Sequence, residues 1–506
     1  MGLLWGTQNQ LVADAAPVPA NCRIIPRPVR MECGQGEFTL AGKTVISTPR
    51  IVATGASRQA GQFLADRLVA AGVPVRLEAR GQEDGAISLS VSPDFGLGTE
   101  GYELEVTPRR IRVKASGAAG AFYAVQTLRQ LLPPEIESGE KLPGAALKIP
   151  CVKIVDKTRL PYRGLMLDPA RYFIEKAEVL KIIDGMSYYK LNRLHLHLTD
   201  STGWRIEIKK YPRLTDSKNW PITEEERGRG FYTQEDMREI VRYAQSRHVM
   251  VIPELEMPQH SVIATRMCPE LLCREGATED AEICAGSDRS HRLLCDIVDE
   301  LVAIFPAPYL HIGGDEYLGS GWAKCPDCKN RIRTAQLEKE DNPDLAATFA
   351  KASGKKNKYL LYRYLMRRVA AHVRSRGRIP VLWDDLAWQG KPPEGAMILQ
   401  WHYKGGMDFF VNIPWAECPA FQAASKGHDV VASPFSHLYL DLPCSVEKIY
   451  GFEPVPVGLT KEQERHVLGA QANNWDCPAD QLEFRVFPKV IALAEITWSP
   501  KSSRDY

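Results

Sequence analysis

From Tyr162 onward, short apolar runs alternate with longer amphipathic stretches. The runs Gly164–Leu167, Arg193–Leu198, Met250–Pro253, Tyr309–Ile312, Pro380–Trp383, Met397–Trp401, Asp429–Ala432 and Leu468–Ala472 have the length and composition of buried strands. Helical spacing of apolar residues falls between them at Ile174–Tyr189, Gln234–Arg247, Asp288–Phe305, Tyr359–Arg376 and Ala416–Lys426, and Phe484–Thr497 closes the chain. Strands that are nearly all followed by helices require a parallel sheet. Eight such units closed on themselves form an α/β fold, the (β/α)8 TIM barrel.

Ahead of the barrel the rhythm is different. Phe38–Ser47 and Ala86–Val91 read as strands, and Gly101–Thr107 with Arg110–Ala115 as a hairpin around Pro108. Ala56–Ala71 carries apolar residues at 60, 64, 68 and 71 and reads as a helix, as does Gly117–Leu132, which stops before Pro133-Pro134. Strands and helices in separate runs predict a small α+β domain. Pro133–Pro150, rich in Gly, Pro and charge, reads as a linker. The expected division is a flexible start over 1–20, an α+β domain over 21–150 and the barrel over 151–506.

Composition excludes some partners. With 44% hydrophobic and 25% charged residues the chain matches an ordinary globular enzyme. Lys+Arg 64 against Asp+Glu 62 gives a net charge of +2, with no basic excess to attract nucleic acid or an anionic membrane. No apolar run is long enough to span a bilayer. The first 16 residues hold Leu3, Leu4 and Trp5 but no basic segment of a signal peptide, so either a signal has been removed or the protein is cytoplasmic. Of the 12 cysteines, Cys325-Pro-Asp-Cys328 forms a lone C-x-x-C. Cys268, Cys273, Cys284 and Cys295 precede it. Loop disulfides, free thiols and a metal site all remain open for this group.

Barrel chemistry sits where the strands' C-terminal ends meet their loops. Asp168 and Arg171 follow the first strand, Asp200 the second, Glu254, Glu256 and His260 the third, and Asp315 with Glu316 the fourth. Trp383, Asp384 and Asp385 end the fifth and Trp401 with His402 the sixth. Tyr439 and Asp441 follow the seventh, Trp475 and Asp476 the eighth. Aromatic faces stack on the C–H faces of a pyranose, and carboxylates and Arg bind its hydroxyls, so this rim suggests a sugar pocket. Each residue also has a plainer reading. His195 and His197 suit hydrogen-bonded core, Glu254 and Glu256 braces for loops, Asp384 and Asp385 helix caps.

Asp315 and Glu316 close the run Tyr309-Leu-His-Ile-Gly-Gly-Asp-Glu-Tyr317. Ordinary retaining glycosidases place two carboxyl groups about 5–5.5 Å apart across the scissile bond. Residues adjacent in an extended strand point to opposite faces, which suits that task poorly. Glu316 as proton donor, with Asp315 holding a nucleophile supplied by the substrate, is the better division.

These residues resemble the signature of the family 20 glycoside hydrolases, the β-N-acetylhexosaminidases, of bacterial type. Arg163-Gly-Leu-Met-Leu-Asp-Pro-Ala-Arg171, Lys190-Leu-Asn-Arg-Leu-His-Leu-His-Leu-Thr-Asp200 and Pro253-Glu-Leu-Glu-Met-Pro-Gln-His260 are similar to that family's first three barrel strands. Trp322-Ala-Lys-Cys-Pro-Asp-Cys328 is similar to a loop of bacterial members, and Pro488–Ser499 to the closing helix. The resemblance implies exo-acting release of terminal β-linked GlcNAc or GalNAc, with the 2-acetamido oxygen attacking its own anomeric carbon. It implies that Asp315 holds the acetamido N–H, Tyr439 its oxygen, and Glu316 moves the proton. Asp200 and His260 would form a relay to Glu316. Arg171 and Asp441 would bind hydroxyls, and Trp383, Trp401 and Trp475 would enclose the acetamido methyl. Neither a cofactor nor a catalytic metal is implied. Glycans are the expected partners of a monomer or homodimer acting in the periplasm or outside the cell.

Two departures bear on sugar recognition. Trp475-Asp476-Cys477 stands where the family often has Trp-x-Glu, so Asp476 is the candidate substitute. Tyr450-Gly-Phe452-Glu-Pro454 stands where it often has a second Trp. The choice between GlcNAc and GalNAc stays open, as does release of a disaccharide in the manner of a lacto-N-biosidase. A metal-dependent amidohydrolase is the other alternative, because His195-Leu-His197 also suits a zinc-binding barrel strand.

Overall fold

The computed structural model describes residues 22–40, 44–48, 55–79, 84–142, 147–220, 228, 230–273, 282–317, 321–337, 356–388, 392–402 and 419–504. They form two compact units, divided at Lys157/Thr158, with Ile25–Arg27 joining the second.

The first unit is a mixed seven-stranded sheet. Its strands are β1 (Arg30–Leu40), β2 (Val45–Ser47), β3 (Arg76–Glu78), β4 (Ala86–Val91), β5 (Tyr102–Val106), β6 (Ile111–Ala115) and β7 (Leu147–Asp156), in the order β1-β7-β5-β6-β4-β2-β3. The hairpin is β5 and β6, antiparallel, with Leu104 opposite Val113. Helices Ala56–Ala70 and Ala118–Leu131 pack together through Phe63 and Phe122, ring centroids 5.0 Å apart. The segment read as a linker to Pro150 ends inside β7. That strand pairs with both β1 and β5, so this sheet continues to Asp156. The charged alternation of β7 hid it among the surrounding Gly and Pro.

The second unit is a closed barrel of eight parallel strands. They are β8 (Tyr162–Leu167), β9 (Arg193–His197), β10 (Met250–Glu254), β11 (Tyr309–His311), β12 (Ile379–Trp383), β13 (Met397–Gln400), β14 (Val430–Ala432) and β15 (Val467–Asn474), with β15 pairing back onto β8. The expected strands are all present within a few residues. The expected final helix is two: Leu482–Val486 and Lys489–Trp498. Pro488 lacks the amide that would continue the first of them. In the helix expected at Ala416–Lys426, the described part is Pro419–Ser425, and residues 403–418 lie outside the described set.

Period-2 alternation decides what fills the barrel. Tyr162, Ile252, Val381, Met397, Leu399 and Val431 form one buried apolar cluster with Trp383. Toward the strands' C-terminal ends the inward positions turn polar. His197, Glu254 and His311 end β9, β10 and β11, and all are buried. That change of character lies at the strands' C-terminal ends, where the loops begin.

Candidate active site

Glu254 is the centre of the buried polar layer. Its Oε2 lies 2.5 Å from His197 Nδ1 and 3.2 Å from His195 Nε2. Its Oε1 lies 2.8 Å from His311 Nδ1 and accepts the Trp383 Nε1–H at 2.8 Å. Burial opposes its ionisation, but the three histidines hold its carboxyl well below the usual range. Burial likewise opposes charge on His197, while Glu254 and Asp200 push it up to about 10. Burial takes His195 down to about 4. The His-x-His pair thus spends its ring nitrogens on Glu254, on Asp200 and on Gln471 Nε2, 3.1 Å from His195 Nδ1.

Asp200 carries the layer outward. Its Oδ2 lies 3.1 Å from His197 Nε2 and 2.9 Å from Arg171 Nη2. Burial opposes its charge, and Arg171 and His197 bring the carboxyl down to about 2. Arg171 also contacts Asp168 Oδ2 at 3.0 Å and Asp476 Oδ2 at 3.7 Å, and its guanidinium stands 5.0 Å from the Trp475 ring centroid. Asp476, just beyond the eighth strand, therefore turns toward Arg171. Its φ of 44° puts Asp476 in the left-handed region.

Beyond β11 the chain turns sharply. Gly313 and Gly314 have φ of 64° and 100°. A Cβ on Gly313 would come within 2.2 Å of Glu256 Oε1, so glycine is required there for two reasons. Tyr362 Oη donates to the Gly314 carbonyl. Glu316 itself has φ 49°, and its amide donates to Asp385 Oδ1 at 3.1 Å.

This turn separates the two neighbouring acids. The Asp315 side chain is 16% exposed and the Glu316 side chain 59%. Burial raises the Asp315 carboxyl, with His260 opposing. Burial, Asp315 and Glu254 push the Glu256 carboxyl well above its usual range. His260 Nε2 lies 3.0 Å from Glu316 Oε2 and 3.8 Å from Asp315 Oδ2. The hydrogen bond from His260 holds the Glu316 carboxyl down. Burial pulls His260 down, but Glu316 and Asp315 lift it to about 9. The relay expected from Asp200 through His260 is thus direct only at its outer step. Among the described residues Asp200 bonds to His197, Arg171 and the Ser201 amide, and acts on His260 through its charge.

The remaining expected residues gather on the same side. Tyr439 bridges to Asn473 of β15, and its ring lies 6.0 Å from Trp475. Burial, then the charge of Asp315, pushes its phenol well above the usual range, so it stays a donor. Trp475 lies 6.0 Å from Trp383, which is 1% exposed. Trp401 donates its Nε1–H to Asp385 Oδ2 at 2.8 Å. Burial pushes Asp385 up to about 7. Asp441 keeps a buried Oδ1 with no hydrogen-bond partner among the described residues. Glu256 and Asp385, read from the sequence as a brace and a cap, touch the two central acids. Their position at strand ends was the available signal, and it was shared with other acids of the rim.

Two family models match the chain: glycosyl hydrolase family 20, catalytic domain, over residues 160–501, and glycosyl hydrolase family 20, domain 2, over residues 21–157. A beta-hexosaminidase of Porphyromonas gingivalis is 34% identical across 96% of this chain and 61% of its own length. The chain thus spans about three fifths of that relative. A beta-hexosaminidase of Akkermansia muciniphila is 31% identical, with 81% of each chain covered. The N-acetyl-beta-hexosaminidase of Streptomyces plicatus, solved in complex with thio-NAglucal, superposes with a TM-score of 0.78 at 31% identity, covering 97% of this chain and 93% of the other.

Proposed function

Because the chain belongs to glycosyl hydrolase family 20, we propose that it is an exo-acting β-N-acetylhexosaminidase, retaining configuration by substrate assistance. One observation carries the reading: adjacent acids lie in opposite surroundings, Asp315 largely buried beside Glu256 and Glu316 exposed and hydrogen-bonded to His260.

Asp315 keeps a buried Oδ1 with no hydrogen-bond partner among the described residues, and it accepts the substrate's acetamido N–H. That bond orients the acetamido oxygen and stabilises the positive charge it develops. Tyr439, kept protonated by burial, donates to the same acetamido group. The acetamido oxygen forms a bond to the anomeric carbon as the bond to the leaving sugar breaks. The proton for the leaving oxygen comes from the His260–Glu316 pair, which holds one proton at neutral pH. Glu316, as a carboxylate, then takes a proton from water as the water attacks the anomeric carbon and the bond from the acetamido oxygen to that carbon breaks. Arg171, fixed by Asp168 and Asp200, and Asp441 with its unpartnered oxygen suit hydroxyls of a terminal sugar against Trp475.

A panel of aryl β-glycosides tests this. Terminal N-acetylglucosaminide or N-acetylgalactosaminide should be cleaved with retention, and the plain β-glucoside should be nearly inert. Brisk cleavage of the glucoside, or a covalent sugar ester on a side chain, would overturn substrate assistance. Preferential cleavage of an aryl lacto-N-bioside would replace the monosaccharide unit with a disaccharide. Glycan substrates of this kind favour a periplasmic or extracellular place of action, which fractionation of the native cells would check.

A further inference from the structure

Away from the sugar pocket, Cys273, Cys284, Cys325 and Cys328 converge. Each is buried and none is joined in a disulfide. Cys284 Sγ lies 3.8 Å from Cys325 Sγ and 3.7 Å from Cys328 Sγ, and Cys273 Sγ lies 3.9 Å from Cys328 Sγ. All four sulfurs fall within 4.8 Å of one another. Thiolates about 2.3 Å from a central zinc ion stand about 3.8 Å apart at the corners of a tetrahedron. The spacing here is of that size, and it does not sort the sulfurs into two pairs, because Cys284 is equally near two partners.

The backbone is shaped for this meeting. Cys273 and Cys284 come from the loop after β10, Cys325 and Cys328 from the start of the helix Pro326–Thr334 after β11. A Cβ on Gly286 would lie 2.4 Å from the Cys328 amide nitrogen and 2.4 Å from the Asp327 carbonyl carbon. The loop carrying Cys284 can therefore approach the C-x-x-C turn only with glycine at 286. Cys325 is the residue before the helix and Cys328 lies in its first turn.

We propose that these four cysteines bind one zinc ion in a closed, four-coordinate structural site. The full set of thiolates leaves no position for water or substrate, so the ion takes no part in hydrolysis. Its work is to clamp the loop after β10 to the loop after β11. The clamp adjoins the acids: Trp322 donates to the Ile283 carbonyl at 3.0 Å and stacks on Tyr317, the residue after Glu316, with centroids 4.7 Å apart.

The test is metal analysis of the protein purified through a tag without histidine. About one zinc per chain is expected, and peptide mapping of the denatured, unreduced protein should find Cys273, Cys284, Cys325 and Cys328 all as thiols. Paired Cys325→Ser and Cys328→Ser should abolish the zinc. Should that variant fail to fold, the unaltered protein still answers, because a mercurial thiol reagent should release the zinc in step with thiol modification. Cobalt taken up after that release is reversed should give the visible spectrum of a tetrahedral tetrathiolate. Absence of stoichiometric metal, or a disulfide mapped between any two of these four cysteines, would overturn the site.

Discussion

His260 Nε2 lies 3.0 Å from Glu316 Oε2, so a single hydrogen bond joins a nearly buried ring to an exposed acid. At neutral pH the pair holds one proton, resting on the imidazole, whose value is lifted to about 9. Loss of that proton removes the acid, so kcat/KM should fall as pH passes about 9. In His260→Asn the bond that holds Glu316 down is gone, and the proton must rest on the carboxyl alone. The alkaline limb should then move several pH units down, toward the carboxylate value of about 4.3. A limb unchanged in the variant would remove His260 from the proton pathway. The sign for stability agrees: this raised value contributes fully below about 6.5 and is lost as pH rises through about 9.

The neighbouring acids should fail in different ways. Glu316→Gln should lower turnover ~10²-fold or more on substrates with poor leaving groups and far less on a dinitrophenyl glycoside, which departs unaided. Asp315→Asn should lower turnover by a similar ~10²-fold with both, because the acetamido group is no longer held whatever departs. Steady-state kinetics on two leaving groups checks this. Equal leaving-group dependence in the two variants would contradict the division of labour.

Much of this was legible in the sequence because the barrel writes itself in two periods. Apolar strands and amphipathic helices alternate, and the strand ends expose their carboxylates to inspection. Asp315, Glu316, His260 and Arg171 stand out for that reason. Glu256 did not, since its role depends on the Gly313 turn bringing it against Asp315 across two strands. Asp476 was read as a departure from a pattern, and only the fold aims it at Arg171. Nor could spacing bring Cys273 and Cys284 to Cys325 and Cys328, because their meeting depends on two loops packing side by side.

Asp385 holds two things at once, the Glu316 amide at 3.1 Å and the Trp401 indole at 2.8 Å. Glu316 has φ of 49°, a conformation non-glycine residues adopt only when their surroundings hold them. Asp385→Ala should release both and lower kcat ~10-fold or more, while Asp385→Asn, which keeps one acceptor, should lose less. Turnover numbers for the two variants decide it, and equal activity in Asp385→Ala would show that the turn holds itself.

Arg171 is pinned by Asp168 and Asp200, both buried, and approached by Asp476, whose side chain is 51% exposed. Removing the exposed partner leaves the pin intact. Asp476→Ala should therefore raise KM several-fold with kcat little changed, because it touches sugar binding and not the proton. Arg171→Ala should do more: it strands two buried carboxylates and should destabilise the fold by about 3–5 kcal/mol as well as weaken binding. Urea titration beside the kinetics separates the two effects. A fold as stable as the original would mean that Asp168 and Asp200 find other partners.

Trp383 donates to Glu254 Oε1 from a site 1% exposed, in the layer that holds three histidines around one carboxylate. Trp383→Phe keeps an aromatic ring but removes the N–H, leaving a buried anion one donor short, which costs about 1–3 kcal/mol. The loss should appear as a lower denaturation midpoint at neutral pH. It should grow at high pH: His197 has its value raised to about 10, so its contribution is complete below about 6.5 and disappears as pH climbs through about 10. Glu254 then loses a charged partner as well as the indole. Midpoints measured at pH 7 and pH 10 for both proteins should therefore diverge, and a constant gap would show that Trp383 and His197 support Glu254 independently.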